Sequence, residues 1–277
     1  MTTIRRIYAY LLAFAGLAIV AIAAANLAQL LIDVVLHASI TSSDGYVRNT
    51  AALHGAAALV GLPVWWLHWR WIERTVQADP PERTSALRAL YLYVVLAGAA
   101  IALAVSFNDA LRHLFEGLVD VPVGAGGTDA VLRPLPFSVV GAVVWLAHWR
   151  LAATDRAVGD ESSRVAVLRR LYLYGASFVG LLVLLVSTQA VIENLWHVAL
   201  SAFGSTAARS GAGSAVGLAA AALAAPLATA LVGLGVWLSH WLVLPAGLRR
   251  PAMDLRLVPD DAARAATGGF ISSDVVA

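Results

Sequence analysis

The chain has 277 residues, 60% of them hydrophobic and only 13% charged, about half the charge that covers a water-soluble domain; its mean hydropathy is +0.77. The absence of cysteine excludes a disulfide framework, an iron–sulfur cluster and any thiolate metal site. All 19 basic residues are arginine, and they lie beside apolar runs, which points to a membrane boundary and not to nucleic acid.

Six uncharged runs follow along the chain, at residues 7–32, 50–67, 89–108, 134–149, 171–192 and 210–248. Crossing a hydrocarbon core of about 30 Å takes about 20 helical residues. The second and fourth runs fall a little short, and their Trp, His and Arg ends extend them into the interface. The last run is long, and its span centres on residues 223–244. The first run follows Arg5 and Arg6 as the core of a cleaved leader would. It is too long for one, and it reads as a retained span.

Arginine sets the expected orientation. Arg5, Arg6, Arg70, Arg74, Arg83, Arg88, Arg150, Arg156, Arg164, Arg169, Arg170, Arg249, Arg250, Arg256 and Arg264 fall on one side of the six spans. Arg48, Arg112, Arg133 and Arg209 fall on the other. The positive-inside rule then puts both termini in the cytoplasm. The segments 71–87 and 151–168 mix both charge signs and carry turn signals at Pro80–Pro81 and Gly159–Asp160. Helix N-caps are expected after them, at Thr84 or Ser85 and at Ser162 or Ser163. The segments 117–133 and 201–213 are rich in Gly, Ser and Ala and read as mobile outer loops. Residues 251–277 read as a polar cytoplasmic tail.

Internal similarity runs through the whole set. The odd spans open alike, with "RRIYAY" (Arg5–Tyr10), "RALYLY" (Arg88–Tyr93) and "RRLYLY" (Arg169–Tyr174). The even spans close alike, with "GLPVWWLHWR" (Gly61–Arg70), "GAVVWLAHWR" (Gly141–Arg150) and "GLGVWLSHWL" (Gly233–Leu242). Each unit is thus a two-span hairpin, at 1–80, 81–160 and 161–250. Two spans per unit give every copy the same orientation, as in parallel-repeat membrane proteins. The expected fold is an all-α membrane protein with six transmembrane helices, arranged as three tandem parallel-repeat hairpins.

The closing W-x-x-H-W-R pattern and the opening R-x-L-Y-x-Y pattern resemble an uncharacterised family of bacterial integral-membrane domains of unknown function. The resemblance covers roughly residues 4–250 and departs from the pattern at Leu242. It implies a multi-pass protein of the bacterial cytoplasmic membrane and carries no activity with it.

Both motifs fall at the arginine-rich boundary. Trp65 and Trp69 are four apart and share a helix face with His68 beside them, as do Trp145, His148 and Trp149, and Trp237, His240 and Trp241. The glycine seven residues before each histidine lies on nearly the same face, where a small residue lets helices approach closely. The simplest reading is an aromatic belt anchored by Arg70 and Arg150, with the histidines bonded to tyrosines or lipid head groups. The alternative is a pseudo-threefold site of His68, His148 and His240 for a metal, a porphyrin or an anionic lipid. The flanking tryptophans make convergence less expected, since they suggest that the three histidines spread towards lipid instead.

A second pattern stands at the other boundary. The odd spans end with an acid followed four residues later by histidine, at Asp33/His37, Asp109/His113 and Glu193/His197, and His54 lies on the same side. Such a pair can orient an imidazole, hold a divalent metal or pass protons. It also fits the solvated end of a helix. Counted from the second tyrosine of each span, the acids lie roughly 35, 24 and 29 Å along at 1.5 Å per residue, which puts Asp33 at the surface and Asp109 nearer the core.

No phosphate-binding glycine loop, serine nucleophile motif or H-E-x-x-H zinc motif occurs, so enzymatic function is not the expectation. The favoured role is a structural or accessory membrane protein that packs with lipids, with a partner membrane protein or as a homo-oligomer. The alternative is a binder of haem or a divalent metal, or a metal- or proton-coupled transporter, using the acid–histidine pairs.

Overall fold

Alanine, leucine and valine fill the uncharged runs, and within a bilayer each segment must satisfy its own backbone hydrogen bonds, so the runs become helices. The computed structural model describes residues 3–36, 44–118, 128–158, 162–204 and 212–243. They form α1 (Thr3–Val35), α2 (Asp44–Ala78), a 3-10 turn (Pro80–Thr84), α3 (Ala86–Leu118), a short α4 (Thr128–Leu132), α5 (Leu135–Val158), α6 (Ser163–Gly204) and α7 (Ala212–Leu238). The last turn of α7 widens into a π-helix over Ser239–Val243. Among the described residues there is no strand. Six helices are long and apolar enough to cross a membrane, and the protein is an all-α, multi-pass membrane protein. His37 and the tail 251–277 lie outside the described residues, as do parts of both expected outer loops.

The helices are longer than the apolar runs. α1 and α3 have 33 residues each, or about 50 Å at 1.5 Å per residue, against a hydrocarbon core of about 30 Å. Hydropathy marks only the lipid-buried part. The helices continue through polar flanks until a stop signal, so α2 runs past Leu67 to Ala78 and ends before Pro80 and Pro81. Both expected N-cap regions hold. The Ser85 hydroxyl accepts the Arg88 N–H at 3.2 Å, and the Ser162 hydroxyl accepts the Val165 N–H at 3.4 Å. In the expected loop 117–133 the short helix α4 forms and leads through Arg133 and Pro134 into α5.

Three hairpins pack in chain order: α1 with α2, α3 with α5, and α6 with α7. The middle hairpin joins the other two. α1 lies against α5 and α3, and α3 lies against α7 and α6. Among the described residues the first and third hairpins share no packed interface, so the hairpins form a row and not a closed ring. Within each hairpin the motif glycine makes the close approach. A Cβ on Gly61 would stand 2.8 Å from the Ile19 side chain, one on Gly141 3.0 Å from the Ala99 carbonyl, and one on Gly233 2.7 Å from the Leu184 nitrogen. Gly16 and Gly180 do the same from the odd helices, each 2.6 Å from the backbone nitrogen of a motif tryptophan, Trp65 and Trp237.

Candidate functional site

Each motif histidine is fixed first by its own helix. His68, His148 and His240 place Nδ1 at 2.7, 2.8 and 2.9 Å from the carbonyls of Val64, Val144 and Val236, the valines four residues earlier. A carbonyl only accepts, so Nδ1 carries the proton and Nε2 is left as an acceptor. Each ring then meets the first tyrosine of its own hairpin. Ring centroids are 5.8 Å apart for Tyr8 and His68, 5.9 Å for Tyr91 and His148, and 5.3 Å for Tyr172 and His240.

In the last of these the hydrogen bonds close into a chain. The Trp145 indole N–H donates to the Tyr172 hydroxyl at 2.8 Å, and that hydroxyl donates to His240 Nε2 at 3.0 Å. Both ring nitrogens of His240 are thereby engaged. In the corresponding place on the first two hairpins, Trp65 Nε1 and the Tyr91 hydroxyl are buried close together, but neither completes a hydrogen bond. Trp65 and Trp69 pack on one buried cluster around Tyr10 and Tyr91, and Trp145 and Trp149 on a second around Tyr93 and Tyr172. Trp66 and Trp241 are exposed, and Arg70 lies over the Trp66 ring at 5.1 Å.

The sequence reading did not foresee the ionic core of this layer. Arg88, three residues before Tyr91, is 1% exposed. Its Nε donates to Asp155 Oδ2 at 2.5 Å and its Nη2 to Glu73 Oε1 at 2.9 Å, while the guanidinium sits 5.5 Å above the Trp69 ring. Glu73 lies on α2 of the first hairpin, whereas Arg88 and Asp155 belong to the second, so one cation ties the two together. Beside it the Arg6 guanidinium pairs with buried Glu82, which also accepts the Ser85 hydroxyl at 3.1 Å. The available signal was helical spacing: Arg88 lies one turn from Tyr91, on the face that tyrosine buries.

At the opposite end the acid–histidine residues stand apart. Asp33 is 0% exposed. Its partner is Arg133, just before α5: Nε lies 2.7 Å from Oδ1 with its N–H pointing past that oxygen, and Nη2 donates to Oδ2 at 3.4 Å. In the fold Asp33 is covered by Arg133, and the Asp109 side chain is 47% exposed. Asp109 accepts Arg112 Nη2 at 2.9 Å, and His113 stands 3.8 Å from Asp109 but 3.0 Å from Glu116. All four belong to α3. Glu193 is exposed and accepts the Gln189 amide at 2.9 Å; His197 is exposed on the same helix and His54 is half-buried on α2. Among the described residues, no three His, Asp or Glu side chains gather around a point that a metal could occupy. Next to Asp109, the Asn108 side-chain amide oxygen accepts the Thr229 hydroxyl at 3.1 Å, a polar link between α3 and α7.

Two apolar grooves follow the hairpin junctions. One of about 270 Å³ runs between α1, α3 and α5. The other, of about 650 Å³, runs between α3, α6 and α7, from Asn108 and Thr229 to Tyr172 and His240.

A helical array with such a layer can be compared with known proteins. Residues 6–130 and 109–222 match the family described as a domain of unknown function, DUF5671. The chain belongs to the DUF5671 family. The second DUF5671 match begins inside α3, so the two matches overlap there and do not divide the chain at its hairpins. No curated protein and no solved structure matches the chain.

Proposed function

We propose that the protein is an accessory protein of the bacterial cytoplasmic membrane, with both termini inside, that packs with lipids and a membrane-protein partner and performs no chemistry of its own. The observation that carries this reading is the state of His240. Its two ring nitrogens are taken up by Tyr172 and by the Val236 carbonyl, so the residue best suited to ligate acts as a strut between helices. Arg88 is likewise enclosed by Asp155 and Glu73. The arginine asymmetry supports the orientation. The repeated opening and closing patterns support a reading as three copies of one hairpin, each presenting the same aromatic layer at the inner boundary.

The test is extraction of the full chain into lipid nanodiscs, followed by metal analysis, a visible spectrum and a proton-flux assay after transfer to vesicles. The reading expects flux equal to that of empty vesicles, no Soret band and no stoichiometric metal. Flux that disappears in Asp109→Asn or His113→Ala, or one metal or haem per chain, would overturn it in favour of a transporter or cofactor protein.

A further inference from the structure

Residues at equivalent places in the sequence pattern are buried or bare according to whether another hairpin stands beside them. The first tyrosine of the opening pattern is 5% exposed at Tyr91 and 8% at Tyr172, where an earlier hairpin covers it, and 55% at Tyr8, where none does. The second is 5% exposed at Tyr10 and 7% at Tyr93, where a later hairpin follows, and 58% at Tyr174, where none follows. His148 and His240 are buried, and His68 is only half-buried.

The two junctions share a plan but not the same tryptophan: the second of the motif, Trp69, serves in the first and the first of the motif, Trp145, in the second. In the first, Tyr91 packs on Tyr10 at 5.5 Å and on Trp69 at 5.6 Å, and His148 faces Trp69 at 6.2 Å. In the second, Tyr172 packs on Tyr93 at 5.6 Å and takes the Trp145 N–H, and His240 faces Trp145 at 6.4 Å. The earlier hairpin offers a motif tryptophan and its second tyrosine. The later one offers its first tyrosine and its histidine. The row therefore ends with one side of each kind uncovered. Tyr8 and His68 form a ready receiving side, already edge-to-face at 70°. Tyr174 and the half-exposed Trp241 form the offering side.

We propose that the third hairpin of one copy docks on the first hairpin of a second copy, repeating the internal junction between molecules. This rests on the packing role above and names the partner as the chain itself. The contact joins two different surfaces, so it builds a ring or an open row and not a two-fold dimer. The ion pair at Arg88 is not part of it: Arg5, at the equivalent place, lies over its own Trp71 at 5.4 Å. The contact between copies is then aromatic, and weaker than the internal junction it repeats.

The chain has no cysteine, so introduced thiols report cleanly. Ile4 and Leu171 are 81% and 68% exposed. Each lies about one turn before the tyrosine that the proposed contact brings together. Ile4→Cys and Leu171→Cys, in the full chain and in vesicles at low protein density, are treated with a short bis-maleimide. The proposal expects a cross-linked dimer when the two variants are mixed and little from either alone. The double variant gives a ladder or a closed ring. Adding Tyr174→Ala to the Leu171→Cys chain lowers the mixed yield about tenfold or more, as removal of a central aromatic anchor does. Unchanged helical circular dichroism in that variant shows that it still folds. Equal yields from mixed and single variants, no dimer at all, or no effect of Tyr174→Ala would overturn the proposal. Proton flux or bound metal in the same vesicles ends the packing reading itself. Vesicles that show neither, and no mixed dimer, end only the inference of self-association.

Discussion

The two ends of the helical row carry similar polar residues and use them differently. At the motif end, partners come from separate hairpins: Arg88 with Glu73, and Trp145 with Tyr172. At the opposite end most contacts stay on one helix, as in the run Asp109, Arg112, His113 and Glu116. Among the described residues, Asp33 with Arg133 ties α1 to the entry of α5, and Thr229 with Asn108 ties α7 to α3. A sequence pattern repeated three times therefore does not fix a role. What matters is whether the repeated residue meets a neighbour on another helix, because only then does its removal separate two elements.

Substitutions at the two ends should separate accordingly. The largest effect is expected for Arg88→Ala, which leaves Asp155 and Glu73 facing each other without their cation. Breaking a buried pair from one side costs about 3–5 kcal/mol, and thermal unfolding in detergent, followed by circular dichroism, should show it as a large drop in Tm. Gly233→Ala comes next. The new Cβ would stand 2.7 Å from the Leu184 nitrogen, a backbone atom that cannot turn away, and overpacking of this kind costs about 1–3 kcal/mol. Gly235→Ala, which meets nothing within 4 Å, is the control and should leave Tm unchanged or slightly higher. Tyr172→Phe should cost about 1–3 kcal/mol, because it leaves the Trp145 N–H and His240 Nε2 without their shared partner. The smallest effect belongs to Glu193→Gln at the opposite end, within about 0.5 kcal/mol for an exposed site. A loss at Glu193 as large as that at Tyr172 would erase the contrast between the ends.

The sequence made legible whatever is local along a helix. Six spans follow from hydropathy, and the close approach at Gly61, Gly141 and Gly233 follows from small residues at a fixed distance from the motif histidine. The expectation that histidines bond tyrosines is met at His240. Hidden were the contacts whose partners lie far apart in the chain. Arg88 and Asp155 are 67 residues apart, Asp33 and Arg133 are 100, and Asn108 and Thr229 are 121. Spacing within one span says which residues share a face but not which helix that face meets. The ends of α2 and α5 were also out of reach of hydropathy, because the helix outlasts the apolar run.

The most direct test of the account is a double-mutant cycle, the coupling of Trp145→Phe with Tyr172→Phe set against that of Asp109→Asn with His113→Gln. The account predicts a coupling of about 1 kcal/mol or more across the hairpins, as contacting residues in one network give, and close to zero for the partly exposed pair on α3, whose groups stand 3.8 Å apart. A strong coupling between Asp109 and His113, with none between Trp145 and Tyr172, would contradict it and move the functional centre to the opposite end of the molecule.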